Sequence, residues 1–251
     1  MVIGFGIDIG GTGTKGAPVD LERGTLIGER FRIPTPQPAT PRAVAEVAAQ
    51  IVAHFPGADT DDVPRIGVAI PAVVQHGVAR SAANIDSTWI DTDVDALFTE
   101  VLGREVHVVN DADAAGVAEN DHGAAREEHG LVCVITLGTG IGSALINAGT
   151  LVPNTEFGHL EVAGHPNAEK WCATSARERE DLSWEEWADR LQVYFTHLER
   201  ILSPDLFVVG GGVSKNSEKF LPLLNLRTPI VPAEHRNNAG IIGAAALGAR
   251  G

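Results

Sequence analysis

Five short runs of mostly β-branched and other apolar residues stand out along the chain: Val2–Ile7, Arg65–Ile70, Glu105–Val109, Leu131–Leu137 and Leu206–Val209. Runs this short and this rich in Val and Ile fit buried strands. Between several of them the apolar period lengthens to that of a helix. Thr40-Pro41 offers an N-cap with proline at the first helical position, after which Val44, Val47, Ala48, Ile51, Val52 and Phe55 fall on one face. Ser183 with Glu186 forms a capping box and opens a second amphipathic helix carrying Trp187, Leu191, Tyr194, Leu198 and Ile201. Strands alternating with helices predict an α/β fold.

The polar punctuation after these strands carries more information than the strands themselves. Asp8-Ile9-Gly10-Gly11 follows the first, Asn110-Asp111 the third, Gly138-Thr139-Gly140 the fourth and Gly210-Gly211-Gly212 the last. Open α/β sheets bind ligands beyond the carboxyl ends of their strands, so these clusters are expected to face one cleft. An apolar strand followed by Gly-Thr-Gly occurs at Thr12 and again at Thr139, a weak internal repeat that predicts two related halves. The expected division is an N-terminal lobe of 1–110 with 240–251 returning to it, and a C-terminal lobe of 111–239.

Composition narrows the classes. With 251 residues, 44% hydrophobic and 21% charged, the chain can bury one large core or two small ones. A net charge of −14 argues against nucleic acid or an anionic membrane as partner, so any phosphate-rich substrate must meet a local basic patch. Met1–Asp8 lacks a basic leader, no apolar run has bilayer length, and Cys133 and Cys172 form neither a disulfide framework nor a zinc spacing. A cytoplasmic location is the expectation.

Gly11-Thr12-Gly13-Thr14-Lys15-Gly16 has the spacing of a dinucleotide fingerprint, but that motif needs a helix directly after it. Here Ala17-Pro18-Val19-Asp20, a Glu22-Arg23-Gly24 turn and Leu26–Phe31 read as a hairpin. The P-loop pattern fails too, since no glycine directly precedes Lys15 and no Ser or Thr directly follows it. Glycines still let the backbone approach a phosphate, with Thr hydroxyls and a lysine adding donors and charge. The candidates are Gly10, Gly11, Thr12, Gly13, Thr14 and Lys15 in the first turn and Gly138, Thr139 and Gly140 in the second. The competing reading of the first turn alone is a bare tight hairpin, whereas two such turns suit a clamp on a transferring group. Asp8 is a candidate for Mg²⁺ held through water. Transfer to an alcohol needs a carboxylate near the hydroxyl, and Asp111, ending a buried strand, is the candidate base. The competing reading makes Asp111 a helix cap, with Asp113 extending the first turn.

On these motifs the chain resembles the sugar-kinase, hexokinase and actin-like ATPase superfamily, and within it the family of repressors, open reading frames and kinases that contains bacterial glucokinases. Asp8–Thr12 matches its first phosphate motif, Leu137–Gly142 its second, and Gly210-Gly211-Gly212-Val213-Ser214 the stretch that packs on the nucleoside. The resemblance implies two actin-like (ribonuclease H-like) lobes, each a mixed sheet flanked by helices, with the active site in the interlobe cleft. Glu156-Phe157-Gly158-His159-Leu160-Glu161 resembles the family's sugar signature, in which Glu156 and His159 would bond pyranose hydroxyls, with Asn84 and Asn110 as further sugar contacts beside Asp111. Gly211, Gly212 and Lys215 fall on the nucleoside or polyphosphate side. Many relatives follow this histidine with a zinc-binding cysteine cluster. Only Cys172 stands here, and zinc takes about four ligands, so no structural zinc is expected.

That departure, with Asp181–Glu186, Ser203–Leu206, Val213–Lys215 and Arg227–Ala233, resembles the polyphosphate-using glucokinases of the family. It implies inorganic polyphosphate as donor with ATP as alternative, Mg²⁺, glucose or a related hexose such as mannose as acceptor, and a homodimer. Lys15, Lys215, Lys219, Arg227 and Arg236 are candidates for a basic track, each also readable as a solvated surface charge. Alternatives are an ATP-dependent hexose or N-acetylhexosamine kinase without polyphosphate use, a sugar-binding regulator and an NAD(P)-binding oxidoreductase. The strand at Val2 leaves no room before it for a DNA-binding helix-turn-helix, which weighs against a regulator.

Overall fold

The computed structural model describes residues 2–56, 63, 65–82 and 85–250. The chain folds as two compact units, Met1–Ala118 with Asn238–Gly251, and Glu119–Asn237.

In the first unit, β1 (Ile3–Gly10) turns back through Gly11-Thr12 into β2 (Gly13–Asp20), and β3 (Thr25–Leu26) and β4 (Phe31–Ile33) both pair with β2. The strand expected over Leu26–Phe31 is thus broken in two, with Gly28 at φ +81° between the halves. The α1 helix (Pro41–His54) begins at the expected proline, although the Thr40 side chain makes no cap bond. Next come β5 (Ile66–Ile70), the small hairpin β6 (Val74–Gln75) and β7 (Val78–Ala79), α2 (Val94–Leu102), β8 (Val106–Asn110) and α3 (Asp111–His122), whose residues from Glu119 on belong to the second unit. The sheet order is β3-β2-β1-β5-β8, with β1, β5 and β8 parallel.

Side-chain alternation gives β1 two unlike faces. Phe5, Ile7 and Ile9 are fully buried and join Val44, Ala48 and Ile51 of α1 with Val68 and Ile70 of β5 in one core. The opposite face carries Gly4 and Gly6, and on it lies α7 (Ala239–Arg250), the alanine-rich segment. The approach is at backbone distance: a Cβ on Gly6 would stand 1.9 Å from the Ile241 carbonyl oxygen, and one on Gly67 of β5 1.7 Å from that of Ala244. Small residues on helix and strand bring α7 close enough for their backbones to touch.

The second unit repeats the plan. It contains β9 (Leu131–Leu137), β10 (Ile141–Asn147), β11 (Thr150–Val152), α4 (Ala168–Cys172), α5 (Thr174–Arg179), α6 (Trp184–Leu202), β12 (Leu206–Gly210) and β13 (Ile230–Pro232). Its order, β11-β10-β9-β12-β13, has the same sequence of antiparallel and parallel pairings as β3-β2-β1-β5-β8. The β1–β2 turn and the β9–β10 turn therefore hold equivalent places in two copies of one motif. Ser183 and Glu186 form the expected capping box, at 3.1 and 2.8 Å. The buried face of α6, with Trp187, Leu191, Tyr194, Phe195 and Leu198, packs on Ile135, Leu137, Phe207 and Val209. Each such fully buried apolar side chain contributes about 1.5–3 kcal/mol.

Candidate active site

The first glycine turn is tight, with Gly10 opposite Gly13 and Gly11-Thr12 exposed at the tip. Its carbonyls are engaged from behind. Thr35 Oγ1 donates to the Gly10 oxygen at 2.6 Å, and the Arg32 guanidinium Nη2 donates to the Thr12 oxygen at 2.8 Å. Arg32 lies so close over the turn that a Cβ on Gly13 would meet its Nε at 2.3 Å. Oxygens that would repel an anion are thereby occupied. Thr14, expected as a phosphate donor, is instead completely buried, and its hydroxyl lies 3.2 Å from that of Thr35. That hydroxyl supports the turn from inside.

Asp8 sits within β1 rather than at its end, since the strand runs to Gly10. It faces Lys15 across β2, and Arg32 of β4 is the next residue in that row. Lys15 Nζ is 3.0 Å from Asp8 Oδ2, both side chains being less than one-fifth exposed, at 19% and 18%. Two cations beside one carboxylate leave the foot of this turn net positive.

At the end of β8 the capping question resolves in favour of Asn110. Its Oδ1 accepts from the backbone N–H of Ala112 at 2.9 Å and of Asp113 at 3.1 Å, while its Nδ2 donates to the Ala72 carbonyl at 3.1 Å. Asp111 is the first residue of α3 and only partly buried, where the helix dipole favours a negative charge. In register, Asp8, Ala69 and Val109 form one row across β1, β5 and β8. Gly10 and Asp111 each lie two residues beyond that row on strands two places apart, roughly 10 Å at the usual strand spacing. The first turn and Asp111 thus share the carboxyl edge of one sheet. Asn84 lies outside the described residues.

In the second unit the Gly138-Thr139-Gly140 turn repeats the device seen in the first. The N–H of Ser175 donates to the Gly138 carbonyl at 3.1 Å and its hydroxyl to that of Thr139 at 2.6 Å. Gly211, at φ +83°, passes so near the base of this turn that a Cβ would lie 2.2 Å from the Leu137 oxygen, so only glycine fits. Beside the turn a cavity of about 440 Å³ is lined by Gly138, Thr139, Thr174, Arg177, Trp184, Gly212 and Lys215 among others.

The Glu156–Glu161 segment is tied to β10. The buried Ser143 hydroxyl donates to the Thr155 carbonyl at 2.6 Å and accepts from the Phe157 N–H at 3.0 Å. A Cβ on Gly158 would stand 2.4 Å from the Ile141 oxygen. Glu156 Oε2 lies 4.0 Å from His159 Nδ1, and Glu169 Oε1 lies 3.9 Å from His159 Nε2. The imidazole is flanked by two carboxylates, and Glu169 also accepts from the N–H of Ile141, next to the second turn, at 3.3 Å. Burial raises the Glu156 carboxyl above its ordinary pKa; His159 partly opposes this and Glu169 adds to it. A carboxylate–imidazole–carboxylate row presents both acceptors and a donor to a polyol. Cys172 is buried with Sγ on the Ala168 carbonyl at 3.1 Å and its pKa pushed up to about 12, mainly by burial, which makes it an inert thiol. Among the described residues no group of three or more His, Cys, Asp or Glu forms a metal cluster.

Sequence reading missed Arg32, Glu169 and Arg177. Each comes from a segment without a motif and joins the site only through pairing or packing of distant chain.

A signature described as the ROK family matches residues 4–178. The chain is 50% identical over 243 residues to a protein named polyphosphate glucokinase from Mycobacterium tuberculosis, covering 96% of this chain and 89% of that one. The crystal structure of an inorganic polyphosphate/ATP-glucomannokinase from Arthrobacter sp. strain KM matches with a TM-score of 0.93 and 56% identity, over 100% of this chain and 99% of that one. A ROK family glucokinase from Streptomyces griseus, solved with glucose and AMPPNP, matches with a TM-score of 0.83 at 24% identity over 99% and 100%, a likeness of fold.

Proposed function

The chain belongs to the ROK family, and on that premise we propose that it transfers a phosphoryl group from inorganic polyphosphate or ATP to the 6-hydroxyl of glucose. The observation carrying this reading is the 50% identity, over 96% of the chain, with a polyphosphate glucokinase. The geometry supports a division of roles. Asp111 is the base that takes the hydroxyl proton, and Asn110, by capping α3, fixes where Asp111 stands. Glu156, His159 and Glu169 hold the pyranose hydroxyls, with Asn84 and Asn110 as further sugar contacts. The amides of Gly10–Gly13 and Gly138–Gly140, with Thr12 and Lys15, hold donor phosphates in turns whose carbonyls are engaged elsewhere. Transfer then needs little beyond positioning and charge neutralisation.

Mg²⁺ fits this residue set, because it keeps most of its water and needs only one or two carboxylates plus substrate oxygens. Asp8 would hold it through water, and it would neutralise charge on the donor phosphates. We also assign the chain to a homodimer in the cytoplasm, as its family resemblance implies. Among the described residues no helix is long and apolar enough to cross a membrane.

A coupled assay on the purified protein, crossing polyphosphate and ATP with glucose, mannose and no sugar, tests the function. Glucose 6-phosphate should form with both donors and depend on Mg²⁺. Turnover of neither donor with glucose refutes the reading, and light scattering at the mass of a single chain refutes the dimer.

A further inference from the structure

The cavity beside the second glycine turn has a chemistry that its position alone does not explain. Its cations are unusually available. Arg179 and Arg190, nearby in sequence, both pair with Glu180 at 2.7 Å. Arg177 and Lys215 line the cavity and make no ion pair among the described residues. The Nε of Arg177 and the Oγ1 of Thr174 are buried and have no hydrogen-bond partner there. The wall also carries the exposed carboxylate of Glu178. Thr174, Arg177 and Lys215 line one space, and a wall with two cations and a hydroxyl suits a ligand made of acceptor oxygens.

The aromatic surface of the same cavity is covered. Arg177 Cζ lies 3.8 Å from the centroid of the Trp184 ring, which stacks in turn on Phe220 at 6.1 Å and 12°. Lys219 Nζ is 5.4 Å from that centroid. An indole face is where a purine would stack, and here a purine must first displace the guanidinium. A chain of phosphates need not. Held over the indole, Arg177 loses little freedom when it binds.

Resting on polyphosphate use as proposed above, we infer that this cavity is a subsite for phosphates of the polyphosphate chain beyond the one transferred, and that Arg177, seated on Trp184, sets the preference for polyphosphate over ATP. The test compares kcat/KM for polyphosphate and for ATP, at saturating glucose, in the wild type, Arg177→Ala and Arg177→Lys, with thermal melts to confirm folding. The polyphosphate-to-ATP ratio should fall about tenfold or more in Arg177→Ala and less in Arg177→Lys, which keeps the charge without the planar fork. The slope of log KM for polyphosphate against log salt should become shallower by roughly one in Arg177→Ala, by analogy with loss of one cation–phosphate contact on nucleic acid. A wild type that uses polyphosphate, with a ratio unchanged in both variants, overturns this inference alone. A wild type active with ATP but not polyphosphate overturns the donor reading and this inference together. Loss of ATP activity in step with polyphosphate activity marks the cavity as a nucleotide site and also overturns it.

Discussion

Asp111→Asn isolates the chemical step from the fold. The change removes a charge and a proton acceptor but no volume. Asn110, not Asp111, makes the bonds to the Ala112 and Asp113 amides, so the α3 cap survives. The fold loses the favourable charge at the helix N-terminus, about 0.3–1 kcal/mol for that term. For a chain of this size that lowers Tm by no more than about 4 °C. Catalysis loses far more, since a positioned base contributes roughly 10²- to 10⁴-fold. At 1.36 kcal/mol per decade this is about 3–5 kcal/mol of transition-state stabilisation. The coupled assay should show kcat reduced by that factor with either donor, with KM for glucose moving much less. A melt and circular dichroism spectrum near the wild type would accompany it. A folded Asp111→Asn protein with kcat within about threefold of wild type would refute the assignment, because the margin separating a base from a bystander is at least about a hundredfold.

Three further outcomes are expected. Glu156 has a raised pKa through burial, so ionising it costs the folded state stability: the penalty is absent below the ordinary carboxyl value of 4.5 and grows as pH rises through and above it. Glu156→Gln should therefore gain in Tm relative to wild type between acidic and neutral pH while losing kcat/KM for glucose, and a Tm difference that is flat with pH would count against the burial argument. Arg32→Ala removes the guanidinium bond to the Thr12 carbonyl, worth about 1.5–3 kcal/mol for a charged donor and less at an exposed site, so donor KM should rise about three- to tenfold with Tm little changed. Unaltered donor KM would remove Arg32 from the site. In Gly243→Ala the new Cβ would lie 1.7 Å from the Ala114 carbonyl oxygen, forcing α7 off α3 at about 3 kcal/mol, the upper end of overpacking costs. A melt within about 2 °C of wild type would contradict the packing described.

Local signals carried the fold a long way. The apolar runs, the Thr40-Pro41 and Ser183–Glu186 starts, and the two Gly-Thr-Gly turns depend on neighbours within a few residues, and they mark out the strands, α1, α6 and the repeat visible in the two sheet orders. The hairpin after Lys15, which weighs against the dinucleotide reading, is legible for the same reason. Tertiary structure alone decided which polar atoms remain for a ligand. Thr14 looks like a donor in sequence and is a buried strut, and the cap on α3 comes from Asn110 rather than from Asp111. Arg32 reaches the first turn by strand pairing, Glu169 reaches His159 through helix placement, and Arg177 finds Trp184 across a helix start. A hydrogen bond takes its partner from space rather than from sequence, so a short motif names where a phosphate or a sugar can sit. The folded backbone determines which groups remain to hold it.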